Sequence, residues 1–336
     1  MQWITKAALI RLGILLGGLM VLFMAIASLI ATMPEKSYSG QLPPLTASQQ
    51  QLRDDLNRDI KIIAEDIGEH NYIFYSNLIQ VENFLKKRLS QAGYSVNTQE
   101  YSVNGQVFRN LEVEIQGTEK PDEIVVIGAH YDSVVGSPGA NDNGSGAVAV
   151  LSLAKLFATT HPKRTLRFVE FVNEEPPFFW SENMGSLVYA KRCQERQENI
   201  VAMLSLETMG FYSQARNSQQ YPVNILRLIY PNQGNFIGFI GNIGSRSLIH
   251  QVIAKFRTSA EFPSQGVSLP NFIPGVGWSD HWSFWQVGYP ALMVTDTAPF
   301  RYPYYHTQQD TPDRIDYDSL TYVVSGLQSV IQDLTH

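Results

Sequence analysis

Acid and imidazole side chains stand just beyond successive apolar runs of this 336-residue chain. His130 and Asp132 follow residues 124–127, Glu174 and Glu175 follow 168–172, and Glu207 follows 200–206. Asp296 comes straight after the run 291–295, and His306 lies ten residues beyond it. If the runs are strands of an α/β sheet, these side chains gather where such sheets bind ligands, beyond the carboxyl ends of the strands. Adjacent glutamates at a buried strand end repel and raise each other's pKa, and a divalent cation resolves that conflict. One of the pair can ligate a metal while the other takes a proton from metal-bound water, the division of labour a hydrolytic metal site requires.

Each residue also has a plainer reading. A His at a strand end is commonly a satisfied structural side chain, although Asp132 two residues on could receive the other ring N–H of a ligating His130. Asp142, between Asn141 and Asn143 and ahead of Gly144-Ser145-Gly146, stands where a helix should begin and could be its cap. His306, in a polar loop before the last helix, has no packing duty that the pattern reveals. Trp278, Trp282 and Trp285 surround Ser279-Asp280-His281, so Asp280 and His281 are candidates for a substrate pocket, while the helical spacing of the tryptophans also suits core packing. Cys193 is the single cysteine. It leaves no internal disulfide and no cysteine-based zinc knuckle, so a metal site must use His and carboxylate, and a buried structural thiol is its simplest role. There is no H-E-x-x-H, G-x-S-x-G, G-x-G-x-x-G or phosphate-binding P-loop.

The elements that would hold these residues follow from periodicity. Residues 48–68 and 77–93 carry apolar side chains at helical spacing, and 94–100 with 107–115 alternate around Asn104-Gly105 as a hairpin. From residue 123 the rhythm becomes strand and helix in turn: strands at 123–128, 165–172, 200–206 and 291–295, with another at 223–230, and helices at 144–157, 183–193, 248–256 and 317–334. That alternation predicts an α/β fold with a single mostly parallel central sheet flanked by helices on both faces. We assign residues 1–33 to an N-terminal membrane anchor or signal segment, 34–47 to an extended linker and 48–336 to the catalytic domain.

Residues 12–34 carry no charge and follow Lys6 and Arg11. The length suits a transmembrane helix with its basic end in the cytoplasm, a membrane partner for the chain. Ala25-Ile26-Ala27 has the small-x-small form of a signal-peptide cleavage site. Either reading places the catalytic domain outside the cytoplasm, membrane-anchored or secreted. Net charge is -6, and the first 33 residues hold two basic groups and no acid, so the remainder stands at -8. That balance argues against a nucleic-acid partner.

The blocks GAHYDS, GANDNGSG, FVNEEP with MGS, SLETMG, and SDHW followed by YYHTQQDTPD occur in that order. In them the chain, over residues 123–316, resembles the zinc-dependent aminopeptidases with two co-catalytic metals, relatives of bacterial leucyl aminopeptidase and glutamate carboxypeptidase. The resemblance implies two zinc ions: His130 and Glu207 on one, Glu175 and His306 on the other, and Asp142 bridging them. It implies Glu174 as general base, Asp132 as the carboxylate that orients His130, and a cis peptide bond after Asp142. Better-known members carry Asp at the Glu207 position, and Glu remains a competent oxygen ligand. The implied activity is release of an N-terminal residue from a peptide or aminoacyl substrate by a hydroxide held between the metals. Two alternatives stay open: a glutaminyl cyclase-like acyltransferase, a related fold that commonly works with one zinc, and a non-enzymatic ectodomain on the same fold.

Overall fold

The computed structural model describes residues 5–336, apart from the side chains of residues 22–31. Helix α1 runs over Lys6–Ala31 and α2 over Ala47–Lys61. The latter starts at a capping box in which Thr46 and Gln49 satisfy each other's backbone amides, and it ends in a π-helical turn, Ile62–Ile67. After α3 (Tyr75–Gln91) come β1 (Asn97–Val103) and β2 (Gln106–Ile115). These two strands form the expected hairpin, and both turn residues, Asn104 and Gly105, take the positive φ that such a turn requires.

The alternating part follows as β3 (Lys120–His130), α4 (Gly146–Phe157), β4 (Arg164–Phe171), α5 (Gly185–Glu195) and β5 (Asn199–Glu207). Next come β6 (Ile237–Asn242), α6 (Arg246–Ser259), β7 (Ser264–Leu269), the short α7 (His281–Gln286), β8 (Ala291–Thr295) and α8 (Tyr317–Leu334). All eight strands join one sheet in the order β1-β2-β4-β3-β5-β8-β6-β7. Helices cover both faces. In β3, Val125 and Ile127 point into a core shared with α2, α3, α4, α6 and α8, while Ile124 and Val126 point to the other face, under α5 and α7. Cys193 is buried in that second core.

Two expectations need correction. The sheet is mixed rather than mostly parallel: parallel ladders join β3 to β4 and β5, β5 to β8 and β6 to β7, but β1–β2, β2–β4 and β6–β8 are antiparallel. The run 223–230 is no strand either. It forms a 3₁₀ turn, Asn224–Leu228, that leaves Leu228 exposed, and the strands that fill this part of the sheet are β6 and β7, whose glycines and serines dilute the apolar signal.

Residues 34–46 do form an irregular segment, but it is tied down along its length. The Arg257 guanidinium donates to the carbonyls of Pro34 and Glu35 at 3.0 and 2.9 Å, Ser264 N–H donates to Ser37 Oγ, and the Tyr322 hydroxyl donates to the Pro43 carbonyl. Among the described residues no helix is long and apolar enough to cross a membrane, and the side chains of Ala25-Ile26-Ala27 lie outside the described residues.

One buried charge joins the helices over the first core. Asp59 in α2 is fully buried and meets Arg88 of α3, Lys155 of α4 at 3.2 Å and Arg58 at 3.0 Å. Burial alone would raise its pKa, yet Arg88, Lys155 and Arg58 together hold it below the usual carboxylate range. Asp59→Ala should therefore cost about 2–3 kcal/mol in urea unfolding, less than for a wholly enclosed pair because Arg88 and Lys155 keep some water. The wild-type contribution is present above the unfolded pKa of ~3.9 and is lost as pH falls through the lower folded value. An acid unfolding midpoint unchanged by the substitution would contradict this.

Candidate metal centre

In the sheet β4, β3, β5 and β8 lie side by side and parallel, so their carboxyl ends open along one edge. His130 is the last residue of β3, Glu207 the last of β5, and Glu174-Glu175 follow β4 after Asn173, whose φ of 61° turns the chain. The loop after β3 returns to the same edge with Asp142, and the loop after β8 brings His306 over the top. His130, Asp142, Glu174, Glu175 and Glu207 are buried, and the His306 side chain is 33% exposed.

Asp142 stands between the two imidazoles. Its Oδ1 lies 3.5 Å from His130 Nε2 and its Oδ2 lies 3.0 Å from His306 Nε2. Glu207 Oε2 is 3.3 Å from the same nitrogen of His130, and Glu175 Oε1 is 3.3 Å from that of His306. The chain thus assembles two triads, His130–Asp142–Glu207 and Asp142–Glu175–His306, each with its ligand atoms within 4.8 Å of one another.

Backbone hydrogen bonds hold these positions. The Asp132 carboxylate accepts from the amides of Glu174 and Glu175 at 3.1 and 3.2 Å, so it fixes the glutamate pair. Its relation to His130 differs from the expected one: the backbone carbonyl of Asp132 lies at hydrogen-bond distance from Nδ1, 3.0 Å, whereas the nearer carboxylate oxygen is 3.7 Å away. Asp310 accepts from the amides of Asn141 and Asp142, and Tyr302 donates its hydroxyl to the same carboxylate. Asn143 ties the loop to the end of β5 by donating to the Leu206 carbonyl and accepting from the Thr208 amide. The Asp142–Asn143 peptide bond is cis. Gly146, where α4 begins, is pressed so closely on β5 that a Cβ would stand 2.3 Å from the Leu206 carbonyl oxygen.

The electrostatics of the cluster suit a cation. Burial, then the neighbouring Asp142, pushes Glu175 up to about 7, and burial with Glu175 and Glu207 drives Glu174 well above the carboxylate range. Glu207 is raised by burial and by Asp142. Burial would lower both imidazoles, but Glu174 and Glu207 raise His130 well above its ordinary value, and Asp142 with Glu175 raises His306 to about 10. Asp142 is lowered despite its burial, by the two imidazoles. His130 Nε2, Asp142 Oδ2 and Glu175 Oε1 are buried without a hydrogen-bond partner. Oxygen and nitrogen ligands about 2.1 Å from one tetrahedral zinc stand ~3.4 Å apart. The four separations of 3.0 to 3.5 Å match that spacing, so the residues fit the metal.

The remaining candidates fall in different places. Glu174 belongs to neither triad, and its Oε2 is 3.8 Å from His130 Nε2. Asp280 and His281 are fully buried, and neither lines the pocket beside the triads. Asp280 is pushed up to about 7 by burial, with Glu207 and Asp132 adding to it, and His281 donates from Nε2 to the Val276 carbonyl with its ring edge-on to Trp285. The pocket beside the triads spans about 340 Å³, counting the solvent at its mouth, and is lined by Glu207, Tyr305, Trp278, Met293 and Phe300. Trp278 is the tryptophan of the three that lines it, whereas Trp282 stacks on Trp180. The sequence gives no site role to Asp310, to Ser279, which donates to Glu207 Oε2 at 2.8 Å, or to Tyr305, which stacks on His306 with centroids 3.9 Å apart. All three sit inside the quoted blocks, and their nearness to ligands was the available signal.

Comparison with known proteins agrees with this geometry. The chain is 32% identical to the uncharacterized protein YfbL of Escherichia coli over 296 residues, covering 86% of this chain and 89% of that one. It is 25% identical to a probable leucine aminopeptidase of Trichophyton verrucosum, covering 89% and 77%. The structure of BSAP, a zinc aminopeptidase from Bacillus subtilis, superposes with a TM-score of 0.65 at 14% identity over 83% of this chain and 94% of the other, a likeness of fold. Residues 110–330, which carry every candidate ligand named above, match the model of Peptidase family M28, and the chain belongs to that family as a metallopeptidase.

Proposed function

We propose that this protein is a zinc-dependent aminopeptidase that works with two metal ions. The observation that carries the reading is the division of Asp142, one carboxylate oxygen toward each imidazole, which makes a single side chain common to both triads. Zinc bound there would polarise a scissile carbonyl and acidify water. The protein does the rest. His130 and Glu207 on one side, and Glu175 and His306 on the other, would hold the two ions, with Asp142 between them. Glu174, adjacent to the triads and part of neither, takes the proton of the attacking water at its carboxylate and returns it to the departing amine. Asp132 keeps Glu174 and Glu175 in register by binding both amides. The acidic surroundings favour a substrate that arrives with a free ammonium group. The names of the Bacillus and Trichophyton proteins support the same activity. The apolar N-terminal segment behind Lys6 and Arg11 supports a catalytic body outside the cytoplasm, anchored or released by cleavage.

The test pairs chemistry with metal analysis. Zinc-loaded protein should cleave leucine p-nitroanilide, leave the N-acetylated anilide intact and carry two metal ions per chain. Cleavage of the blocked substrate at equal rate would remove the aminopeptidase assignment. Cyclisation of an N-terminal glutamine peptide without anilide release would identify a cyclase instead.

A further inference from the structure

A second cavity lies next to the substrate pocket and has no part in the chemistry described above. It encloses about 560 Å³, counting the solvent at its mouth, and Leu226, Tyr230, Val267, Leu269 and Val276 line it. The two spaces share the same partition: Ile240, Gly275, Thr297 and Phe300 face both. Three parts of that partition are fixed. Ile240 belongs to β6, Gly275 is backbone, and Thr297 is held by hydrogen bonds with Gln219. Phe300 is different, because its half-buried ring is held by packing alone, against Gly275 and nearly parallel to Trp278, with centroids 6.4 Å apart. Displacement of that ring would join the two spaces into one channel from Glu207 to apolar walls.

Resting on the aminopeptidase reading, we propose that this cavity is a binding site for a long aliphatic chain carried by the residue whose amide bond is cleaved. The side chain enters past Trp278, displaces the Phe300 ring and continues over the face of β6 and β7 that carries Ile240 and Val267. Substrates with linear side chains longer than that of norleucine are then the preferred class, since each further methylene moves from water into apolar surroundings.

The experiment uses a series of p-nitroanilides with linear side chains, from 2-aminobutyric through 2-aminodecanoic acid, on the zinc-loaded full chain. For wild type, kcat/KM should climb by about fourfold per methylene past norleucine, mostly through KM. Val267→Phe and, independently, Leu226→Trp fill the cavity from its far walls and should flatten the climb beyond norleucine. A wild-type series that peaks at norleucine and then falls, or a climb that persists in both variants, overturns the proposal. Calorimetric binding of free 2-aminodecanoic acid decides the same point without turnover: at least tenfold weaker binding in Val267→Phe supports the site, and equal binding refutes it. Should no anilide be cleaved, the aminopeptidase reading falls while this binding measurement still judges the cavity.

Discussion

Replacing Glu174 by Gln should lower kcat by about 10³-fold and leave the metal content of the protein unchanged. The amide keeps the shape of the side chain and its backbone N–H bond to Asp132, so the loop stays in place. It cannot accept a proton. Because Glu174 lies outside both triads, its loss removes no ligand, and KM should move by little. Single-turnover kinetics beside elemental analysis would check the pair of outcomes. Activity within tenfold of wild type would mean that the proton goes elsewhere, and a parallel loss of metal would mean that Glu174 is a ligand.

Asp142→Asn should be the more damaging change. Removing this one negative charge weakens both triads at once, so bound metal should fall at both positions and kcat/KM should drop by more than about 10³-fold. His306→Ala provides the contrast. It reaches a single triad, so His130, Asp142 and Glu207 remain to hold one ion. Metal counts measured for the two variants under the same loading conditions distinguish a shared carboxylate from an ordinary one. Retention of two ions by Asp142→Asn would sink the shared role.

The part of this architecture that could be read from the chain is the part where several local signals coincide. His130, Glu175 and Glu207 each follow a dense apolar run, and strand ends in a parallel sheet converge, so their meeting was foreseeable. Asp142 was harder, since its loop must fold back over β5, and the Asn143 contacts that make it do so are long-range. Asp132 does more than its residue type and spacing suggest. Its spacing from His130 suggests a carboxylate–imidazole pair, but in the fold the carboxylate turns to the Glu174 and Glu175 amides and leaves a main-chain carbonyl for the ring. At 223–230 the apolar run marks a 3₁₀ turn, while β6 gains its place from pairing with β8, β7 from pairing with β6, and both from the cover of α6. Asp280 and His281 sit among tryptophans that suggest a pocket, yet α7 begins there and turns both inward, one behind the ligands and one onto Trp285.

The segment that joins α1 to the catalytic body has a mechanical consequence. A free chain of its length would let the body swing through a wide volume and present its active site in any direction. Arg257, Ser264 and Tyr322 take that freedom away by gripping the backbone at Pro34, the Ser37 hydroxyl and the backbone at Pro43. With the backbone held from Pro34, three residues past the end of α1 at Ala31, little free chain is left between that helix and the body.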